Sequence, residues 1–190
     1  MTPFLRQAWV ALRLLVLMTV VLGVVYPLAV LGIGRVLPAA ADGSLVTDSA
    51  GVVVGSSLIG QPFDTDEWFQ PRPSAGGYDP LATGGSNLAA DNPVLVQQVA
   101  ERQAAAAARD GFEPAAVAAD AVTASASGLD PHISPLYAQQ QVARVAAARR
   151  LDPALVAALV SQHTEGRFLG FIGEPRVNVL QLNLALEGLG

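Results

Sequence analysis

The chain is 190 residues long, 52% apolar and only 14% charged, with a mean hydropathy of +0.41 and a net charge of −5. That length fits one domain, or one domain with an appendage, and the shortage of charge means a large core or a segment in lipid. All 11 basic residues are Arg, and Lys and Cys are absent. This excludes a P-loop lysine, a Schiff base, a Ser-x-x-Lys hydrolase, a thiol nucleophile, a disulfide and any Cys-based metal site. The acidic balance argues against nucleic acid as a partner.

The apolar excess lies near the N-terminus. Leu14 to Gly34 is a run of 21 uncharged residues between Arg13 and Arg35. As a helix it would span about 31 Å, the thickness of a bilayer's hydrocarbon core. Tyr26-Pro27 falls inside it, and a Pro is tolerated in a membrane helix, with a kink. Gly23, Ala29, Gly32 and Gly34 would let a second helix approach closely. Ala39-Ala40-Ala41 offers small residues of the signal-cleavage type, but the run exceeds a signal h-region, so an uncleaved single-pass anchor over 1–37 is expected. Residues 1–37 hold three Arg and no acid, whereas 38–190 hold eight Arg against 16 acidic residues, a net −8. By the positive-inside rule the N-terminus belongs in the cytoplasm and the rest outside the membrane.

A linker is expected over 38–51 and a soluble domain over 52–190. Val52-Val53-Val54 and Ser57-Leu58-Ile59 read as short strands joined through Gly55-Ser56, and Trp68-Phe69 as a third strand edge. From Pro71 to Asn92, Pro, Gly, Ser and Asn predict a long, ordered, irregular loop. Asn92-Pro93, Ser134-Pro135 and Asp152-Pro153 each pair a capping side chain with a Pro that can open a helix. They predict helices to about Arg109, Arg150 and His163. Ala121 to Ala124 reads as a strand entering a turn at Gly128. Asn178 can cap a helix over Val179 to Glu187, while the alternation of Leu180, Leu182, Leu184 and Leu186 equally describes a buried strand. The fold class expected is α+β: one transmembrane helix followed by one compact domain.

The chemistry-bearing side chains are few. His132 and His163 match no metal motif, and no metal site is expected. Ser125, Ser127, Asp130 and His132 crowd one segment without a Gly-x-Ser-x-Gly elbow; a tight turn, with Ser127 and Asp130 accepting from backbone N–H groups, explains them better than a Ser/Asp/His hydrolase. Gly55 to Gln61 and Gly84 to Asn87 are glycine-rich but fit no phosphate loop. Gln141 and Arg144 lie three apart on a helix and share a face, on which they are candidates to hold an anion such as a nucleotide phosphate, although a solvated face is the commoner explanation. Arg72, stiffened between Pro71 and Pro73, is the best placed residue for a fixed partner contact, with Ser127, Asp130 and His132 as further candidates.

Taken in order, several stretches resemble the C-subunit (KdpC) family of Kdp-type potassium-transporting ATPases. They are GSSLIGQ at 55–61, FQPRPSA at 69–75, GSNL at 85–88, VTAS at 122–125, SGLDPHISP at 127–135, Gln141-Val142 with Arg144-Val145-Ala146, and VNVLQLN at 177–183. Ala126 stands where that family usually has Gly. The resemblance implies a non-catalytic subunit beside a potassium-translocating subunit and a P-type ATPase subunit. It also implies an assembly or chaperone role that raises the ATP affinity of the ATP-hydrolysing subunit, with ATP as the only cofactor implied and none bound firmly. A domain outside the membrane cannot share ATP with a cytoplasmic nucleotide site, so any such effect would travel as a coupling free energy through the membrane partners.

Overall fold

The computed structural model describes residues 2–189, which divide into two units between Ser44 and Leu45. The first is dominated by one continuous helix, Pro3–Gly34, long and apolar enough to cross a membrane, with no buried residue. It comprises α1 (Pro3–Val20), a π-helical turn (Val21–Val25) and α2 (Tyr26–Gly34). The π turn has a local cause. Pro27 has no N–H to donate, and its ring crowds the carbonyl one turn back, at Gly23. Widening the preceding turn relieves that crowding, and Tyr26 N–H reaches back five residues to the Val21 carbonyl. A helical turn, α3 (Pro38–Ala41), ends the unit.

The second unit opens with β1 (Leu45–Thr47) antiparallel to β2 (Val53–Ser56). Both Ala50 and Val52 N–H groups donate to Asp48 Oδ1, closing the hairpin. Thus residues 45–47 of the stretch read as linker form a strand, and their partner is 53–56 rather than Ser57–Ile59. The latter segment turns because Ser56 Oγ accepts from Leu58 N–H and the Ser56 carbonyl from Ile59 N–H. A serine turn outweighs the strand propensity of Leu58-Ile59.

No regular element occurs from Ser57 to Asn92. Then follow α4 (Pro93–Asp110), a 3-10 turn (Pro114–Ala116), α5 (Ala119–Val122), β3 (His132–Ile133), α6 (Pro135–Arg149), α7 (Pro153–Gln162), β4 (Thr164–Glu165), β5 (Arg176–Asn178) and α8 (Val179–Glu187). Asn92, Ser134, Asp152 and Asn178 cap α4, α6, α7 and α8 by accepting from Val94, Tyr137, Ala154 and Gln181 N–H. Three of those helices carry Pro at their start, as expected from sequence. The strand expected at Ala121–Ala124 is instead α5 and its end: Ala121 and Val122 are buried beside α4, and Thr123 Oγ1 donates to the Ala119 carbonyl one turn back. The leucine alternation resolves as helix, because Leu182 and Leu186, four apart, are both wholly buried.

β3, β5 and β4 form a three-stranded antiparallel sheet with β5 in the centre. The core gathers Val145 and Ala146 of α6, Val156 of α7, Val177 of β5, Leu182 and Leu186 of α8, and Phe69 of the long loop, all at 0% exposure. Helices and small sheets around one core make the unit α+β.

Candidate functional site

The motifs singled out from the sequence converge on the turn 125–132. Ser125 Oγ accepts from Ser127 and Gly128 N–H and pairs with Ser127 Oγ at 3.0 Å; Ser127 Oγ in turn accepts from Leu129 N–H. Asp130 Oδ1 accepts from His132 N–H at 3.0 Å. Four chain segments tie to this turn through backbone bonds: Ser125 N–H to the Pro73 carbonyl, Gly84 N–H to Ser127, Gly60 N–H to Leu129, and Val179 N–H to Pro131. The approach is so close that a Cβ on Gly60 would lie 2.6 Å from the Asp130 carbonyl oxygen. Gly128, at φ +71°, takes the left-handed conformation that closes the turn. Widely separated motifs are therefore one structural node.

Arg72 crosses that node. Its Nη1 meets Asp130 Oδ2 at 3.1 Å and its Nη2 reaches the Thr123 carbonyl at 3.4 Å, while the Tyr78 hydroxyl donates to the Arg72 carbonyl. Arg72 Nε is buried and has no hydrogen-bond partner. His132 Nδ1 stands 3.5 Å from Asp130 Oδ1. Burial works to raise the Asp130 carboxyl; hydrogen bonds from His132 and from the Arg72 guanidinium overcome it, leaving the group below its ordinary pKa. Burial, with Tyr137 and Asp64 nearby, pushes the Tyr78 hydroxyl up to about 12. Arg72, Asp130 and His132 line a recess of about 480 Å³ with Asp120, Ser134, Glu174 and Arg176. Ser127 faces elsewhere in its bonding: no hydrogen bond joins it to His132 among the described residues, so the three do not form a Ser/His/Asp relay. Nor do the described residues bring three His, Asp or Glu side chains together as a metal cluster. His163 ends α7, away from this turn in sequence and bonding.

Gln141 and Arg144 do share a face of α6, and that face is covered. Gln141 is 0% exposed; its Oε1 accepts from Gln70 N–H at 2.7 Å and from Arg144 Nη2 at 2.7 Å, and its Nε2 donates to the Gln70 carbonyl at 3.2 Å. Arg144, its side chain 6% exposed, pairs with buried Asp110 at 2.6 Å and donates to the Asp66 and Trp68 carbonyls. Further along α6, the Arg149 guanidinium lies 4.1 Å over the Trp68 ring. These side chains clasp residues 66–70.

Sequence reasoning missed the buried amides. Asn183 holds Phe69 as Gln141 holds Gln70; Gln140 bonds Ala118 N–H and the Ala116 carbonyl; Asn178 donates to the Ser57 carbonyl. The signal available was three amide side chains inside helices, Gln140, Gln141 and Asn183, where burial of an unsatisfied amide is costly.

One helix long and apolar enough to cross a membrane, together with one α+β unit, is the make-up of a protein carried on a single N-terminal span. The family described as K+-transporting ATPase, c chain (KdpC) matches residues 8–188. A potassium-transporting ATPase KdpC subunit of Kineococcus radiotolerans is 60% identical over 189 residues, covering 98% of this chain and 96% of the relative. That of Geobacter sulfurreducens is 50% identical over 94% of this chain and 96% of the relative, and that of Gloeobacter violaceus 48% identical over 100% and 99%. The chain belongs to the KdpC family of potassium-transporting ATPase subunits.

Proposed function

We propose that this subunit does no chemistry itself and serves the assembly and stability of the ATPase, with its domain outside the membrane and its N-terminus in the cytoplasm. The observation that carries this reading is that three of the candidate binding or catalytic side chains, Gln141, Arg144 and Ser127, are committed to structure. Gln141 and Arg144 are turned inward onto residues 66–70, and Ser127 onto its own turn. A nucleotide phosphate would find Gln141 and Arg144 already engaged on that α6 face. An effect on the ATP affinity of a P-type ATPase subunit therefore acts through membrane partners as a coupling free energy, on the order of 1–3 kcal/mol for such linkages. Arg72, Asp130 and His132, their side chains 26–28% exposed, form the polar part of the contact surface. The potassium-translocating subunit and the ATP-hydrolysing subunit are the partners. The acidity of residues 38–190 also favours cations near this domain.

Two measurements on the full chain test this. A C-terminal reporter active only outside the cytoplasm should be active; an inactive one reverses the orientation. Affinity-tagged protein purified in mild detergent should bring both partner subunits with it, and recovery without either ends the assembly reading.

A further inference from the structure

The hairpin between β4 and β5 presents four large apolar side chains within five residues. Phe168, Leu169, Phe171 and Ile172 are 69, 71, 73 and 49% exposed. Nothing about the turn requires them. Leu169 at φ +51° and Gly170 at φ +83° make the reversal, a position where Asn or Gly would be easier than Leu. Nor is the hairpin loose. Phe168 and Ile172 exchange a pair of backbone hydrogen bonds, each 2.9 Å. Below them β4 pairs with β5, the central strand, whose Val177 is wholly buried. The apolar tip is thus held on a rooted arm and loses little entropy on docking. Its base carries two exposed ion pairs, Arg167–Glu174 at 2.6 Å and Arg176–Glu165 at 2.9 Å, which cancel in charge.

We propose that this tip is an apolar anchor by which the domain docks into an uncharged recess on a partner subunit of the same ATPase. The inference rests on the reading that the chain works within a heteromeric complex. Charge and area select this occupant. An acidic lipid surface would repel a domain that carries −8 over residues 38–190, and the tip offers it no net positive charge. A second copy is too small a partner. At roughly 200 Å² per large apolar side chain, the tip exposes about 500 Å², so two tips bury about 1,000 Å², short of the 1,200 Å² or more of a stable interface. A neutral aromatic cluster ringed by charge is instead the usual form of an anchor inside a larger interface.

The test uses the full chain expressed with its partner subunits. p-Benzoylphenylalanine replaces Phe168 or Phe171, and membranes are irradiated. The expected product from either position is an adduct of this chain with one partner subunit; an adduct of two copies, a lipid adduct alone, or an equal yield from Leu81, which is 94% exposed, overturns the proposal. In the second arm, the Phe168→Ser, Phe171→Ser double variant should co-purify with at least tenfold less partner while its helical circular dichroism and melting are unchanged. Undiminished co-purification overturns the anchor and leaves the subunit reading intact, whereas failure of the unaltered chain to co-purify overturns both. Should the double variant misfold, the crosslinks from the otherwise native chain decide.

Discussion

Asn183 and Phe69 close a two-bond ring across 114 residues of chain: Phe69 N–H donates to Asn183 Oδ1 at 2.9 Å, and Asn183 Nδ2 donates to the Phe69 carbonyl at 3.0 Å. Gln141 repeats the arrangement on the next residue, Gln70. Two helices thus use side-chain amides as a β-strand would use its backbone, pinning an extended segment that has no strand partner there. Phe69 is thereby carried into the core at 0% exposure.

Asn183→Leu keeps the branching of the side chain but leaves a buried N–H and a buried carbonyl unsatisfied. At about 1–3 kcal/mol for each orphaned group, a loss of about 2–6 kcal/mol is expected in urea denaturation of the full chain in detergent. Gln141→Leu should cost a similar amount. Because the two amides hold adjacent residues, the double variant should lose less than the sum of the two. A loss under 1 kcal/mol for Asn183→Leu would mean that the ring contributes little.

Gly60 and Gly111 should respond to alanine for different reasons. A Cβ on Gly60 meets the Asp130 carbonyl at 2.6 Å, a clash with backbone that cannot swing aside. Gly111, at φ +76°, has open space around it and carries only the conformational cost of a left-handed helix end. Gly60→Ala should cost about 2–3 kcal/mol and Gly111→Ala about 1 kcal/mol by thermal melting. Equal shifts would show that the close approach at residue 60 relaxes freely.

The parts legible in the sequence were those with a local cause. Asn92, Ser134, Asp152 and Asn178 each announce a helix start, and each does cap one. The apolar run up to Gly34 stands out because its length and lack of charge match the thickness of a bilayer's hydrocarbon core. The turn around Asp130 was legible too, since Asx and serine turns bond within a few residues. What escaped depends on contacts distant in sequence. Trp68-Phe69 has strand propensity, but Phe69 is bonded by the Asn183 amide and the Trp68 carbonyl by the Arg144 guanidinium, which no local pattern reveals. Arg144 looked available as a ligand because spacing shows which residues share a face and not what covers it. Val122-Thr123 favours a strand in isolation, yet burial beside α4 settles Ala119–Val122 as helix.

Asp130 should make the node acid-sensitive. Its carboxyl is held below its ordinary value in the folded chain, so ionisation stabilises the fold above the unfolded pKa of about 3.9, and that contribution disappears as pH falls through the lower folded value. Asp130→Asn removes it. The melting temperatures of the two proteins should differ most near neutral pH, where the unaltered chain is higher, and converge only once the pH has fallen below the lowered folded value. A gap that stays constant from pH 7 to pH 2 would assign the difference to packing and not to charge.

Arg144 separates a structural from a ligand-binding role for the α6 face. Arg144→Ala strands the Asp110 carboxylate, whose side chain is 4% exposed, with Arg109 as its one remaining ion-pair partner, and frees the Asp66 and Trp68 carbonyls. Breaking a buried pair from one side costs about 3–5 kcal/mol. Arg144→Lys should recover little, because one ammonium cannot reach Asp110, Gln141 and two carbonyls in the directions a planar guanidinium does. Urea denaturation of the full chain gives the stability loss, and ATP titration of the intact complex gives the nucleotide affinity. The expected pattern is a large stability loss in both variants, with any fall in ATP affinity following the folded fraction. If Arg144→Ala is as stable as the unaltered chain and yet abolishes ATP binding, the inward-facing role assigned to this arginine is wrong.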